Sequence, residues 1–253
     1  MKVEYYGETN IGKVRTNNED AFLLQEVWNG THLLAVVVDG VGGYCAGEVA
    51  ANLACKCISE HIVGTKESIN SAEVLQAAVI YANNTIISQR YNLMLNRMSC
   101  VLTAAFIDTQ SDIMNVVHVG DTRLYAYKDG KLTKLTSDHS LVGPLEETGQ
   151  ITEEQAMAHP RRNIITRCIG ERLLQFATNY LQCQTLRVEP PCTLMLCSDG
   201  LYDMITSAQS SAIIGQAIPV QNRAQQLISA ALDAGGKDNV TVCLIDITEY
   251  ING

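Results

Sequence analysis

Two abrupt junctions constrain this chain more than any other feature. In LLAVVVDG, from Leu33 to Gly40, and TLMLCSDG, from Thr193 to Gly200, an apolar run ends on an aspartate followed by glycine. A strand that is apolar at consecutive positions must be covered on both faces. Each run therefore belongs inside a layered fold and delivers a carboxylate at its end. Further acids occupy equivalent places: Asp121 follows VVHVG, Asp238 directly precedes VTVCLID, and Glu19-Asp20 directly precede the segment that opens at Ala21. If those strand ends meet, the carboxylates share one small space in which repulsion and desolvation oppose their ionisation. Few basic residues flank these positions. Hard divalent cations such as Mg²⁺ or Mn²⁺, held by carboxylate, carbonyl and water oxygens, would neutralise the cluster. Gly40 would let a metal approach the backbone carbonyl closely. Any single Asp-Gly, taken alone, is more often an ordinary turn.

Composition removes several function classes. The 253 residues are 47% apolar and 18% charged, a globular balance. Lys and Arg number 18 against 27 Asp and Glu, for a net charge of −9, and Arg161-Arg162 is no basic patch. Nucleic acid is therefore not an expected partner, since phosphate-backbone binding needs clustered cations. No signal-peptide pattern opens the chain and no apolar span is long enough for a membrane. A cytoplasmic protein without membrane association is expected. The nine cysteines are odd in number, lack a CxxC pair and in several cases lie inside apolar runs. They read as buried free thiols in a reducing compartment, not as disulfides or zinc ligands.

Periodicity predicts strands over 3–8, 21–27 and 31–38, with a hairpin turn at Asn29-Gly30. Helices are predicted over 47–62 and 72–92, each with an apolar stripe suited to packing on a sheet. Hairpins follow over 101–107 with 113–119, and over 124–128 with 131–135 around Asp129-Gly130. Strands are expected at 176–181, 193–197 and 240–247, and helices at 207–214 and 221–234. The polar excursion 140–165 holds a short helix capped by Thr152, with Gln155 completing a capping box. It reads equally as a flap beside a site or as an ordinary surface loop. No linker or repeat divides the chain, so a single α/β domain over 1–253 with much antiparallel pairing is expected.

Arg15, in NIGKVRTNNED, stands four residues before Glu19. Its fork suits two phosphate oxygens, and a salt bridge to Glu19 or Asp20 is the alternative. With this residue the motifs GKVRTNNED, DGVGG, GDTRLY, CSDGL and GGKDNVTV stand in order over 6–247, and the set resembles the PP2C-like (PPM) metal-dependent protein serine/threonine phosphatases, in their compact bacterial branch. The resemblance implies an α+β four-layer sandwich, in which two central antiparallel sheets are flanked by helix pairs. It implies that Asp39 bridges two Mn²⁺ or Mg²⁺ ions, that Glu19 and the Gly40 carbonyl help to hold one, and that Asp199 and Asp238 hold the other. Asp121 with Asp199 would hold a weaker third ion. Asp20 would orient metal-bound water from behind, and Arg15 would clamp the phosphate. The implied activity is hydrolysis of phosphoserine and phosphothreonine in proteins by a metal-bridging hydroxide, opposing a bacterial Ser/Thr kinase and acting on its substrates. The alternatives are a partner-switching phosphatase for one small regulatory phosphoprotein and a non-catalytic phosphoprotein-binding module. Oligomeric state is not legible.

The chain departs from the family pattern at three places. Val41 stands where many members have a histidine that is a candidate general acid; His139 could replace it only if the fold brings it near the phosphate. Met98-Ser99-Cys100 replaces a Gly-Thr-Thr, and Thr9-Asn10 a Ser-Asp. None of these removes an expected ligand. Cys197, without an arginine soon after it, reads as a strand residue and not as a nucleophile.

Overall fold

Backbone pairing resolves the strand-rich pattern into two antiparallel five-stranded sheets. The computed structural model describes residues 1–41, 46–67, 70–90, 98–172 and 179–249. One sheet runs in the order β2 (Asp20–Val27), β3 (His32–Val41), β4 (Ser99–Asp108), β5 (Ile113–Val119) and β8 (Gln182–Arg187). The other runs β1 (Lys2–Asn10), β10 (Val240–Thr248), β9 (Cys192–Cys197), β6 (Arg123–Lys128) and β7 (Lys131–Lys134). Helices α1 (Gly47–Val63) and α2 (Ser71–Gln89) cover the first sheet, while α5 (Asp199–Tyr202), α6 (Ser207–Ile214) and α7 (Val220–Asp233) cover the second. The excursion 140–165 carries α3 (Gly143–Glu147) and α4 (Glu153–Met157).

The lack of alternation in the central strands follows from this layering. On β3, Leu34, Val36 and Val38 pack with α1 and α2, whereas Leu33, Ala35 and Val37 face the opposite sheet. On β10, Val242 and Leu244 pack with α7, whereas Cys243, Ile245 and Ile247 join the layer between the sheets. Burial of apolar area on both faces, at roughly 25 cal/mol per Å², makes these strands the fixed frame from which their terminal carboxylates project.

Several boundaries differ from expectation. β8 replaces the strand expected at 176–181: residues 173–178 lie outside the described ones, and Asn179 and Tyr180 form a turn before Gln182. QCQTLR carries a weak signal because β8 is an edge strand whose side chains alternate in exposure. The second helix ends at Gln89 among the described residues, residues 91–97 lying outside them. The first hairpin needs a four-residue connection, because Val27 pairs with His32 and Trp28, Asn29 and Gly30 all adopt positive φ. Asp129-Gly130 does form the expected two-residue turn, with Lys128 opposite Lys131. Thr152 and Gln155 form the predicted capping box. One turn of helix, α5, was not expected; Asp199 opens it behind Ser198.

Phe106 on β4 is fully buried against Trp28 and His32, with ring centroids 5.1 and 4.9 Å away. Phe106→Ala is expected to lower unfolding free energy by roughly 3–5 kcal/mol in urea melts. A loss under about 1 kcal/mol would contradict the close packing assigned to this layer.

Candidate metal centre

Antiparallel register brings the acidic strand ends together. Asp20 at the start of β2 lies opposite Asp39 near the end of β3. Cys197 pairs with Val242, so Asp199 just after β9 and Asp238 just before β10 occupy the same end of the other sheet. Arg15, Glu19, Asp39, Gly40, Asp121, Asp199 and Asp238 all line one cleft of about 260 Å³, together with Val41, Asn163, Ile165 and Asn239. Of the acids singled out from the sequence, Asp20 is the one outside that lining. It lies beneath it, buried, with Oδ2 accepting hydrogen bonds from Ser198 Oγ at 2.7 Å and Thr241 Oγ1 at 2.6 Å.

The electrostatics are those of carboxylates crowded in a dry space. Burial pushes Asp39 and Asp199 well above the usual carboxylate range, and their aspartate neighbours add to the shift. Burial also raises Asp20 to about 6, against the lowering effect of its two hydroxyl donors, and Asp121 to about 7. Glu19 is raised too, chiefly by burial. The salt bridge that Arg15 makes is not to Glu19 or Asp20: its Nη2 donates to Asp238 Oδ2 at 2.7 Å, with about half of its side chain exposed. One half-exposed guanidinium does not neutralise five carboxylates.

The donor set fits hard divalent cations. Glu19 and Gly40 converge on a common point beside Gly47: a Cβ built there would lie 2.9 Å from the Gly40 carbonyl oxygen and 3.0 Å from Glu19 Oε2. Gly40 itself is required for packing as well as access, since a Cβ on it would meet the Gly47 backbone at 2.4 Å and the Glu19 carbonyl at 2.7 Å. Among the described residues no three His, Cys, Asp or Glu side chains close on a single point as a preformed cage. Mg²⁺ and Mn²⁺ take much of their coordination from water and carbonyl oxygen, so an open, carboxylate-lined cleft suits them better than a closed nitrogen or sulfur site.

Two further residues belong to this region and were not singled out from the sequence. Asn239 is buried and organises the loop 11–19: its Nδ2 donates to the Ile11 and Asn17 carbonyls, each at 2.9 Å, and its Oδ1 accepts from the Glu19 amide at 2.8 Å. The legible signal was a polar residue placed between an acid and an apolar strand. Asp203 shares a small pocket of about 20 Å³ with Asp121, Asp199 and Tyr202, and accepts from Arg162 Nε of the excursion at 2.6 Å. Its signal was the spacing Asp199 to Asp203, one helical turn. His139 is not part of either lining. Cys197 is buried and its thiol is pushed up to about 12, the opposite of an activated nucleophile.

A family model described as protein phosphatase 2C matches residues 9–234. The serine/threonine phosphatase stp of Listeria innocua is 35% identical over 243 residues, covering 94% of this chain and 93% of that protein. Protein phosphatase PhpP of Streptococcus pneumoniae is 32% identical, covering 95% of this chain and 96% of its own length. Among solved structures, the Mycobacterium tuberculosis phosphatase PstP/Ppp superposes with a TM-score of 0.84 at 31% identity over 98% of this chain and 99% of that one. The PstP catalytic domain in complex with two manganese ions superposes with a TM-score of 0.83 at 30% identity, over 98% of this chain and 99% of that one.

Gly47→Ala would fill the space between Glu19 and Gly40, and is expected to weaken Mn²⁺ binding by roughly 10-fold or more while far-UV circular dichroism stays unchanged. Unaltered Mn²⁺ affinity in titration calorimetry would contradict the cradle. The raised carboxylates make a second prediction. Groups that hold protons in the metal-free protein must release them to ligate a cation, so Mn²⁺ binding at pH 6 is expected to expel protons. Asp20 and Asp121 ionise at about 6 and about 7, so the number released falls as pH rises past them towards 9. Calorimetry in buffers of different ionisation enthalpy reads this directly. A release that is constant across that range would contradict it.

Proposed function

The chain belongs to the protein phosphatase 2C family, and from that premise we propose how its own residues divide the work of removing phosphate from phosphoserine and phosphothreonine in proteins. The observation that carries the reading is the gathering of Glu19, Asp39, Gly40, Asp121, Asp199 and Asp238 around one cleft with Arg15 at its rim. Glu19, Asp39 and the Gly40 carbonyl would hold one Mn²⁺ or Mg²⁺. Asp199 and Asp238, sharing Asp39, would hold the other, with Asp121 and Asp199 taking a weaker third. When bound, such ions supply a water ionised at neutral pH and positive charge against the phosphoryl oxygens.

Every other part of the task falls to the chain. Arg15 is half exposed, on a loop that Asn239 pins from below. It would leave Asp238 and take two phosphate oxygens in its fork, orienting the phosphorus. Asp20 lies beneath the cleft lining, from where it would orient the attacking water. Its Oδ2 ties β2 to the Ser198 and Thr241 hydroxyls, which would hold Asp39 and Asp199 at fixed separation across the two sheets. With Val41 at the position of the family's candidate acid and His139 outside the cleft lining, no side chain of the described site is assigned to protonate the leaving serine or threonine.

The described chain acts as one catalytic unit, with 140–165 as its flap. Asn163 and Ile165 of that segment line the cleft, so the substrate protein would meet them first. The opposing enzyme would be a bacterial-type Ser/Thr kinase, given the bacterial origin of the similar phosphatases. Among the described residues no helix is long and apolar enough to cross a membrane. The eight described cysteines are all free thiols, which favours a reducing compartment such as the cytoplasm.

Hydrolysis of a phosphothreonine peptide is expected to require Mn²⁺ or Mg²⁺ and to stop with EDTA. Asp39→Asn is expected to lower kcat by roughly 100-fold or more. Arg15→Ala is expected to lower kcat/KM by roughly 10- to 100-fold with Mn²⁺ affinity retained. Full activity of Asp39→Asn, or turnover in EDTA, would overturn the assignment.

A further inference from the structure

His139 stands at the root of the flap and makes contacts that the division of labour above does not use. Its amide donates to the Gly120 carbonyl at 2.6 Å, and its ring Nδ1 accepts from the Gly120 amide at 3.1 Å. Both polar groups of that glycine are thereby held by one residue. Gly120 has φ +104°, and a Cβ there would meet the Val101 side chain at 2.1 Å, so no other residue type occupies the position without strain. The next residue is Asp121, whose carbonyl accepts from Tyr202 Oη at 2.9 Å. The peptide groups on both sides of the Asp121 carboxylate are therefore fixed, one by His139 and one by Tyr202.

The same histidine closes the flap's base. Its carbonyl accepts from the Thr166 amide at 2.7 Å; Ser140 bridges Ile165, and the Leu141 amide donates to the Ile164 carbonyl at 2.9 Å. Both roots of the segment thus converge on the residue that grips Gly120. The ring packs against His118, with centroids 5.0 Å apart and planes tilted by 36°. His118 is in turn bonded through Nδ1 to Thr103 Oγ1 at 2.9 Å and through Nε2 to the Ser137 carbonyl at 3.1 Å. Arg167 Nη1 stands 3.4 Å from Nε2 on the remaining side and donates to the Asn179 and Tyr180 carbonyls. Burial, with His118 and Arg167 nearby, pushes the His139 imidazole down to about 3, so the ring is neutral and keeps an acceptor nitrogen for the Gly120 amide.

We propose that His139 is a positioning residue that couples the flap to the Asp121 ion site, by clamping the Gly120 peptide with its ring and main chain while its carbonyl anchors the flap's returning strand. A flap that is pulled open loosens Gly120 and displaces Asp121; a cation held by Asp121 and Asp199 stiffens the flap root by the same linkage. The clamp itself rests on contacts within the chain, and its link to an ion rests on the assignment of Asp121 above.

The test compares His139→Leu, which removes the ring acceptor at similar size, with His139→Asn, whose Oδ1 falls where Nδ1 stood. Hydrogen exchange at the Gly120 amide and across 140–165 is read with and without Mn²⁺, beside Mn²⁺ titration calorimetry. In the leucine variant, exchange at Gly120 and the flap roots is expected to rise by roughly 10-fold or more, and the weakest Mn²⁺ class to weaken by a similar factor. The tighter ions and far-UV circular dichroism stay unchanged. The asparagine variant is expected to restore most of both. Equal behaviour of the two variants, whether both normal, both loosened or both unfolded, would overturn the clamp. If wild type shows no third Mn²⁺ class while the exchange result holds, the clamp stands and the Asp121 ion assignment fails.

Discussion

The crowding of carboxylates, poorly solvated and mutually repelling, at one end of the two sheets is the constraint on which the rest of this molecule depends. Asp121 is buried, Asp39 and Asp199 are half-buried at the cleft wall, and all three are shifted upward, chiefly by desolvation. A fold that gathers such groups pays for it in stability unless something compensates. Within the chain the compensation is partial: Arg15 reaches Asp238, Arg162 reaches Asp203, and hydroxyls reach Asp20. The remaining imbalance is what a pair of divalent cations corrects.

The surrounding packing keeps the carboxylates from relaxing apart. Arg123, two residues past Asp121, is buried with its guanidinium on both Asp138 oxygens, on Glu146 of the flap helix α3, and 3.6 Å over the Tyr202 ring. Asp138 is held below the usual carboxylate range despite its burial, because Arg123 and Lys134 flank it. A charge-paired network therefore adjoins the unpaired one. The first fixes the elements that carry the second, and the flap that overhangs it is tied to both by Arg123, Arg162 and His139.

Much of this was legible in the sequence because burial on two faces leaves a plain record. The runs at Leu33–Val38 and Thr193–Cys197 reported layered strands, and the acids beside them reported a shared site. The bond from Thr152 to Gln155 is local in sequence, so its prediction held to the residue. What stayed hidden is what depends on partners distant in the chain. β8 is an edge strand with a diluted apolar signal, and α5 is a single turn too short for periodicity. Asn239 and Asp203 act through residues 11–19 and 162, which no local pattern ties to them. For Arg15 the sequence offers, besides phosphate, only the nearby Glu19 or Asp20 as a salt-bridge partner, yet it meets Asp238, 223 positions away. Register across two sheets decides that contact.

The most direct test of the central claim is anomalous diffraction at the manganese edge from crystals grown with Mn²⁺. Strong peaks are expected within ligand distance of Glu19, Asp39 and the Gly40 carbonyl, and of Asp39, Asp199 and Asp238. A cleft free of anomalous density at saturating Mn²⁺, or peaks confined to other parts of the surface, would contradict it and leave the buried carboxylates without their counter-charge.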